Sequence, residues 1–275
     1  MRRHGSVDSV AGLGLSDHLC WVYDGPDAFL GPGLEWLSDG LRLNQRLFYS
    51  ADRPPEQLRE DVQLLSGVDR LIDAGVLELV ELGKTYPGCR VLDPDAQLAA
   101  YDAMAQQAVT EGYAGIRVLA EGTPLVARAA GHAECASWEH VAERYMGRGN
   151  PLAAFCAYHR STIGEEAAQE LLASHALFHD DRGPVPFQVF GDGNEVKLIG
   201  EVDAFSAPMF QRILARVGEP EPVVLDLSEA EFVDHHALLA IARSSARLDL
   251  RGASPTLRRL WDMMDLSATH GVRFV

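Results

Sequence analysis

Apolar residues along this chain gather into short runs, and between the runs they recur at helical spacing. His18 to Tyr23 is one such run, ended by Asp24-Gly25-Pro26; Arg46 to Ala51 is another, ended by Pro54-Pro55. Val76 to Val80, Gly115 to Ala120 and Leu152 to Tyr158 repeat the pattern. These compositions, bounded by turn formers, predict buried strands. Between them, Phe29, Leu30, Leu34, Leu37 and Leu41 mark a helix over 29–43. Further helices are predicted over 56–74, with Gly75 just past the end, and over 95–111, 137–146 and 165–172. Strands alternating with helices at this spacing imply βαβ crossovers and a mostly parallel sheet covered on both faces.

The pattern breaks at His179-Asp180-Asp181-Arg182-Gly183-Pro184-Val185-Pro186, whose charges, glycine and two prolines predict a linker. Beyond it, Phe187 to Phe190 and Glu195 to Ile199 flank Gly191-Asp192-Gly193-Asn194, a hairpin signal. A helix from Ser206, the expected N-cap, to Val217 follows, with Pro208 in the first turn. Then come a strand over 223–227, a helix over 237–247, a strand over 248–251, a helix over 255–264 and a closing strand over 272–275. Residues 1–14 have no period and are expected as a flexible tail. The division is therefore 1–14, a first domain over 15–178, a linker over 179–186, and a smaller α/β domain over 187–275.

Composition narrows the function classes. A net charge of −16 makes nonspecific attraction to nucleic acid or anionic membranes unfavourable. No run approaches the roughly 18 apolar residues of a membrane span. No export signal is visible, and the four cysteines, Cys20, Cys89, Cys135 and Cys156, form no Cys-x-x-Cys pair. Reduced thiols in a cytoplasmic protein are the expectation.

The last third resembles the STAS family, shared by anti-sigma factor antagonists and the cytosolic tails of sulfate transporters. Gly200-Glu201-Val202-Asp203, running on to Ala207-Pro208, carries the first match. Val223 to Leu227 with Phe232-Val233-Asp234 is similar to the family's central strand and switch loop, and Leu250 to Pro255 with Arg258-Arg259-Leu260 to its late strand and helix. The resemblance implies docking on an anti-sigma factor, a serine kinase or another STAS protein through Asp203, Asp234, His235 and His236. In family antagonists a Ser or Thr in the switch loop is phosphorylated; here Asp234-His235-His236-Ala237 places His236 there. Phosphate would add about −2 charge at the helix N-terminus, where free N–H groups receive it. Imidazole is no substrate for a Ser/Thr kinase, so the loop is expected to stay in an unmodified-like state. The helix over 237–247 is also about two turns shorter than the family's, which leaves the partner's identity open. The Asp-His-His triplet also invites metal-site and phosphoesterase readings. Adjacent side chains usually diverge, and the upstream aspartate motif of such phosphoesterases is not visible.

Residues 15–178 resemble the MEDS family of sensory domains, related to the RecA/KaiC ATPase core. His18-Leu19-Cys20-Trp21-Val22-Tyr23 is similar to its opening His-x-Cys-x-x-Tyr strand, Trp138-Glu139 to its aromatic-Glu pair, and Cys156-Ala157-Tyr158 to its late strand. His159 stands where the family continues with Asp. A P-loop needs Gly-x-x-x-x-Gly-Lys-Ser/Thr after the first strand. Residues 24–33 offer no Lys, and Pro26 and Pro32 lack N–H donors, so ATP hydrolysis is not expected. The carboxyl ends of the strands remain a crevice for a small molecule. His18, Cys20, Glu121, Glu139, Cys156 and Tyr158 are the candidates to line it, and His18, Cys20 and Cys156 could form a thiol or metal sensor. The expectation is a regulatory protein without catalytic residues, resident metal or cofactor. A STAS scaffold that senses nothing, or an enzyme using the first domain's cleft, are the alternatives.

Overall fold

A computed structural model describes residues 2–85, 93–128, 131–217 and 222–275. Pro87, Gly88 and Cys89 lie outside the described residues.

The first domain runs β1 (Gly5–Ser6), β2 (His18–Tyr23), α1 (Leu30–Arg42), β3 (Arg46–Ala51), α2 (Pro55–Asp61), α3 (Val68–Asp73) and β4 (Leu77–Glu81). It continues with α4 (Leu82–Thr85), α5 (Pro94–Thr110), β5 (Ile116–Glu121), α6 (Thr123–Val126) and α7 (Gly131–Gly147). β6 (Leu152–His159), α8 (Arg160–Ile163), α9 (Glu165–Ala173) and β7 (Leu177–Asp180) complete it. Among the described residues the strands form one parallel seven-stranded sheet, ordered β1-β7-β2-β6-β5-β3-β4. Strand alternation divides its side chains between two cores. His18, Cys20 and Val22 point to one face, while Leu19, Trp21 and Tyr23 pack on the other with Trp36 and Phe155.

The second domain opens with the antiparallel hairpin β8 (Phe187–Asp192) and β9 (Glu195–Val202), closed by a two-residue turn with Gly193 at φ 65°. α10 (Ala207–Leu214), β10 (Val223–Val233), α11 (His235–Ala242), β11 (Leu248–Arg251), α12 (Pro255–Met263) and β12 (Val272–Phe274) follow. The sheet order is β12-β11-β10-β9-β8, parallel except for the hairpin. A separate core of Phe187, Phe210, Leu225, Ile241 and Trp261 lies beneath it.

The structure departs from the sequence reading at several points. Residues 1–14 are not a free tail: β1 pairs with β7, and Val10 and Leu13 are buried. The helix expected over 56–74 is split, because Gly67 takes a left-handed φ of 72° between α2 and α3. The expected linker begins inside a strand, since His179 and Asp180 belong to β7. Ser206 occupies the N-cap of α10 without a side-chain capping bond; the carboxylate of Asp203 accepts from the Phe205 and Ser206 N–H groups instead. The helix expected over 237–247 starts two residues earlier, where Asp234 caps it, and ends at Ala242.

The two domains share direct contacts. α7 packs on β8, where Gly193 N donates to Gly147 O at 3.0 Å. A Cβ on Gly147 would lie 2.6 Å from Gly191 O, so this close backbone approach needs glycine. On α9, the fully buried Glu170 accepts from Arg212 Nε at 2.7 Å and pairs with Arg216, both on or just past α10.

Candidate functional site

Beside the sheet face that carries His18, Cys156 and Tyr158 lies a cavity of about 410 Å³. Its walls are largely apolar, with Phe48, Tyr101, Met104, Val118, Leu125 and Trp138 supplied by the strands, α5, α6 and α7. Its floor is a cluster of charged and polar side chains buried to 9% exposure or less.

Each polar group reaches the floor for a local reason. β2 and β6 pair in register, His18 opposite Ala154 and Cys20 opposite Cys156, so His18 and Cys156 emerge on the same face. Glu139 and Glu143 sit four residues apart on α7 and so share one helical face. His175 follows α9, where its Nδ1 donates to Leu171 O at 2.7 Å.

The geometry is close. His18 Nδ1 lies 2.6 Å from Glu143 Oε2, and its Nε2 lies 3.1 Å from Glu139 Oε2 and 3.4 Å from Cys156 Sγ. His175 Nε2 lies 3.3 Å from Glu139 Oε2 without hydrogen-bond geometry. Tyr158 donates to the other oxygen of Glu139, and the Cys135 thiol lies 3.5 Å from the Tyr158 hydroxyl. Arg2 caps the cluster from behind through an ion pair with Glu143.

These contacts set the charges in the metal-free protein. Burial opposes charge on His18, but hydrogen bonds and attraction from Glu139 and Glu143 outweigh it and raise the pKa to about 9. Burial likewise opposes charge on Glu139, yet His175 and His18 hold its carboxyl well below the usual range. Arg2 and His18 do the same for Glu143. Burial pushes the Cys20, Cys135, Cys156 and Tyr158 groups up, which keeps them protonated at neutral pH.

Of the six residues singled out from sequence in this domain, the fold brings His18, Glu139, Cys156 and Tyr158 together. Cys20 is buried one step further along β2 and contributes no donor atom to the cluster. Glu121 stands apart at the end of β5, where its Oε1 accepts from Tyr23 OH at 3.1 Å and Thr123 N at 3.2 Å. Burial raises its pKa above the ordinary carboxyl value. The sequence reading missed His175, Glu143 and Arg2. Glu143 was findable, because two glutamates at i and i+4 on a helix with a matched aromatic-Glu pair mark one face. His175 and Arg2 carried no such signal.

In the second domain Asp234, His235 and His236 lie together, and Asp203 follows Val202 at the end of β9. Asp234 N donates to Val202 O at 3.0 Å, which ties the loop after β10 to the loop after β9. Asp203 Oδ1 accepts three hydrogen bonds from Phe205 and Ser206, and these hold its pKa below the usual value. Asp234 Oδ1 accepts from His236 N at 2.8 Å and Ala237 N at 3.1 Å, and its Oδ2 lies 3.0 Å from His236 Nδ1. The rings of His235 and His236 do not diverge; their centroids are 3.9 Å apart. Beside them, Phe205 is 94% exposed and Phe232 51%. A shallow groove of about 810 Å³ runs from Phe232 and His235 to Leu257, Leu260 and Met264.

A mainly apolar cavity joined to a small α/β module with an exposed loop face fits a signalling or regulatory protein. Family comparison agrees: residues 17–176 match MEDS, described as "MEthanogen/methylotroph, DcmR Sensory domain", and residues 191–270 match the STAS domain. The chain belongs to the MEDS family and carries a STAS domain after it. No curated protein matches the chain. Among the described residues no helix is long and apolar enough to cross a membrane.

Proposed function

We propose that the chain is a non-catalytic sensor: a small, mainly apolar molecule enters the first-domain cavity, and its occupancy alters how the STAS face is presented to an anti-sigma factor, a serine kinase or another STAS protein. The observation that carries this reading is the short path between cavity and STAS domain. Arg2 pairs with Glu143 and also donates to Gly191 O of β8 at 2.7 Å, while Glu143 holds His18. The carbonyl of His175 accepts from Gln188 of β8 at 2.7 Å. A shift of His18 therefore reaches the STAS hairpin through Glu143 and Arg2, and a shift of His175 reaches it through Gln188.

The absence of catalysis is part of the same proposal. The Tyr158 hydroxyl and the Cys156 thiol are engaged with Glu139, and burial holds the thiols protonated, so no activated nucleophile faces the cavity. On the STAS side, the Asp234 carboxylate already occupies the free N–H groups of α11 that a phosphate would seek. His236 keeps that loop unphosphorylated.

A thermal-shift screen with small apolar compounds and nucleotides tests the sensing. A true ligand at 100 times its Kd stabilises by about 2.7 kcal/mol, and it changes the affinity for the STAS partner. Nucleotides leave the unfolding temperature unmoved. Incubation with a cognate kinase and ATP leaves residues 234–237 unmodified. A protein that no small molecule stabilises is a scaffold, and phosphate on His236 or a nearby Ser overturns the switch-loop reading.

A further inference from the structure

The sequence reading assigned no metal to the chain, but the tautomers on the cavity floor call for a cation. His175 Nδ1 lies 2.7 Å from the Leu171 carbonyl, which can only accept, so Nδ1 carries the proton. Its Nε2 then faces Glu139 Oε2 at 3.3 Å and is a buried polar atom with no hydrogen bond. His18 repeats the arrangement. Its Nδ1 faces Glu143 Oε2 at 2.6 Å, and its Nε2 points at Glu139 Oε2 and Cys156 Sγ. Without a metal, charged His18 and the Cys156 thiol donate to Glu139 while His175 Nε2 stays without a hydrogen bond, and two imidazole nitrogens, a carboxylate oxygen and a sulfur still converge on one point.

We propose that His18, Glu139, Cys156 and His175 bind one divalent transition-metal ion of the zinc class at the floor of the cavity. One donor atom from each of the four lies within 4.8 Å of all the others. Tetrahedral bonds of about 2.0–2.3 Å put neighbouring donors roughly 3.3–3.6 Å apart. Of the six donor pairs, four stand at 3.1 Å from His18 to Glu139, 3.3 Å from His175 to Glu139, 3.4 Å from His18 to Cys156 and 3.7 Å from Glu139 to Cys156. The donor set favours zinc, cobalt or iron over calcium and magnesium, which take oxygen ligands. Supporting contacts are in place as well. Glu143 holds the far nitrogen of His18, Leu171 O holds that of His175, and Tyr158 holds the second oxygen of Glu139. Ligation by Cys156 releases its thiol proton, so uptake is accompanied by proton release. Cys20, one residue pair along the strand, is not a ligand.

The test uses the full chain, with elemental analysis of the protein as purified and cobalt(II) titration of chelator-stripped protein. One metal per chain is expected, with the intense visible bands of tetrahedral cobalt and a thiolate charge-transfer band. Cys156→Ser abolishes the charge-transfer band, whereas the double variant Cys20→Ser/Cys135→Ser keeps it. Glu143→Gln keeps the band but weakens cobalt affinity about 10- to 100-fold. Should Cys156→Ser fail to fold, X-ray absorption at the metal edge of the unmodified protein decides, because it must show one sulfur among nitrogen and oxygen ligands. No uptake by folded stripped protein overturns the proposal and leaves a buried ion-pair cluster. A weak six-coordinate spectrum indifferent to Cys156 overturns it too. Metal content is read without any small molecule, so its failure leaves the sensing proposal standing, and a metal-loaded protein blind to every compound defeats sensing alone.

Discussion

The chain carries two clusters of carboxylates and histidines, one at the cavity floor of the MEDS domain and one on the STAS loops, and burial separates their behaviour. His18, Glu139, Glu143 and His175 are 0–2% exposed. Each charge there must be met by a fixed partner, because burial takes it out of bulk solvent. Asp234 and His236 have similar partners and comparable distances, yet the side chain of His236 is 44% exposed. In that loop the hydrogen bonds mainly shape the backbone and leave a surface, with Phe205 fully presented beside it. The same residue types thus make a cohesive centre in one place and a recognition face in the other.

The comparison predicts unequal costs. Glu139→Ala leaves His18, His175 and Tyr158 without their common partner, and a loss of about 3–5 kcal/mol is expected in urea unfolding of the metal-free protein. A loss near zero would place the cluster in reach of solvent. Glu170→Ala removes a fully buried carboxylate, but Arg212 is 37% exposed and can turn to water. The expected cost is therefore smaller, about 2 kcal/mol, and calorimetry should show the two domains unfolding separately. Phe205→Ala reverses the pattern. Stability stays within about 0.5 kcal/mol, while affinity for a STAS partner falls by about 2 kcal/mol, or roughly 30-fold. A stability loss with unchanged binding would move the docking face elsewhere.

Glu121 gives the finest test of burial. Its folded pKa lies above the unfolded value, so its contribution is most favourable in acid and is lost as pH rises through the raised pKa. Glu121→Gln cannot ionise and keeps an oxygen for Tyr23 and Thr123. It should match the parent in acid and exceed it by about 1 kcal/mol at neutral pH. A pH-independent difference would show that the environment of Glu121 does not penalise its charge.

Much of the architecture was legible in the linear pattern. Buried parallel strands are apolar on both faces, so β2, β3, β5 and β6 stood out as runs. Gly193 marked the hairpin because few residues accept a positive φ. Helix ends were less legible: Gly67 splits one predicted helix, and Asp203 takes the capping role expected of Ser206. Residues 1–14 lacked any period because their order comes from partners far along the chain, above all Glu143 and β7.

For the site, sequence alone determined which strands and which helix would carry donors: His18 on β2, Glu139 on α7, Cys156 and Tyr158 on β6. It could do so because alternation and helical spacing are local rules. Only the tertiary structure decided that Cys20 and Glu121 stay out of the cluster and that His175 enters it. His175 lies 157 positions from His18 in sequence, yet their ring centroids are 4.2 Å apart. That meeting follows from β7 docking against β2, a pairing that no local pattern encodes.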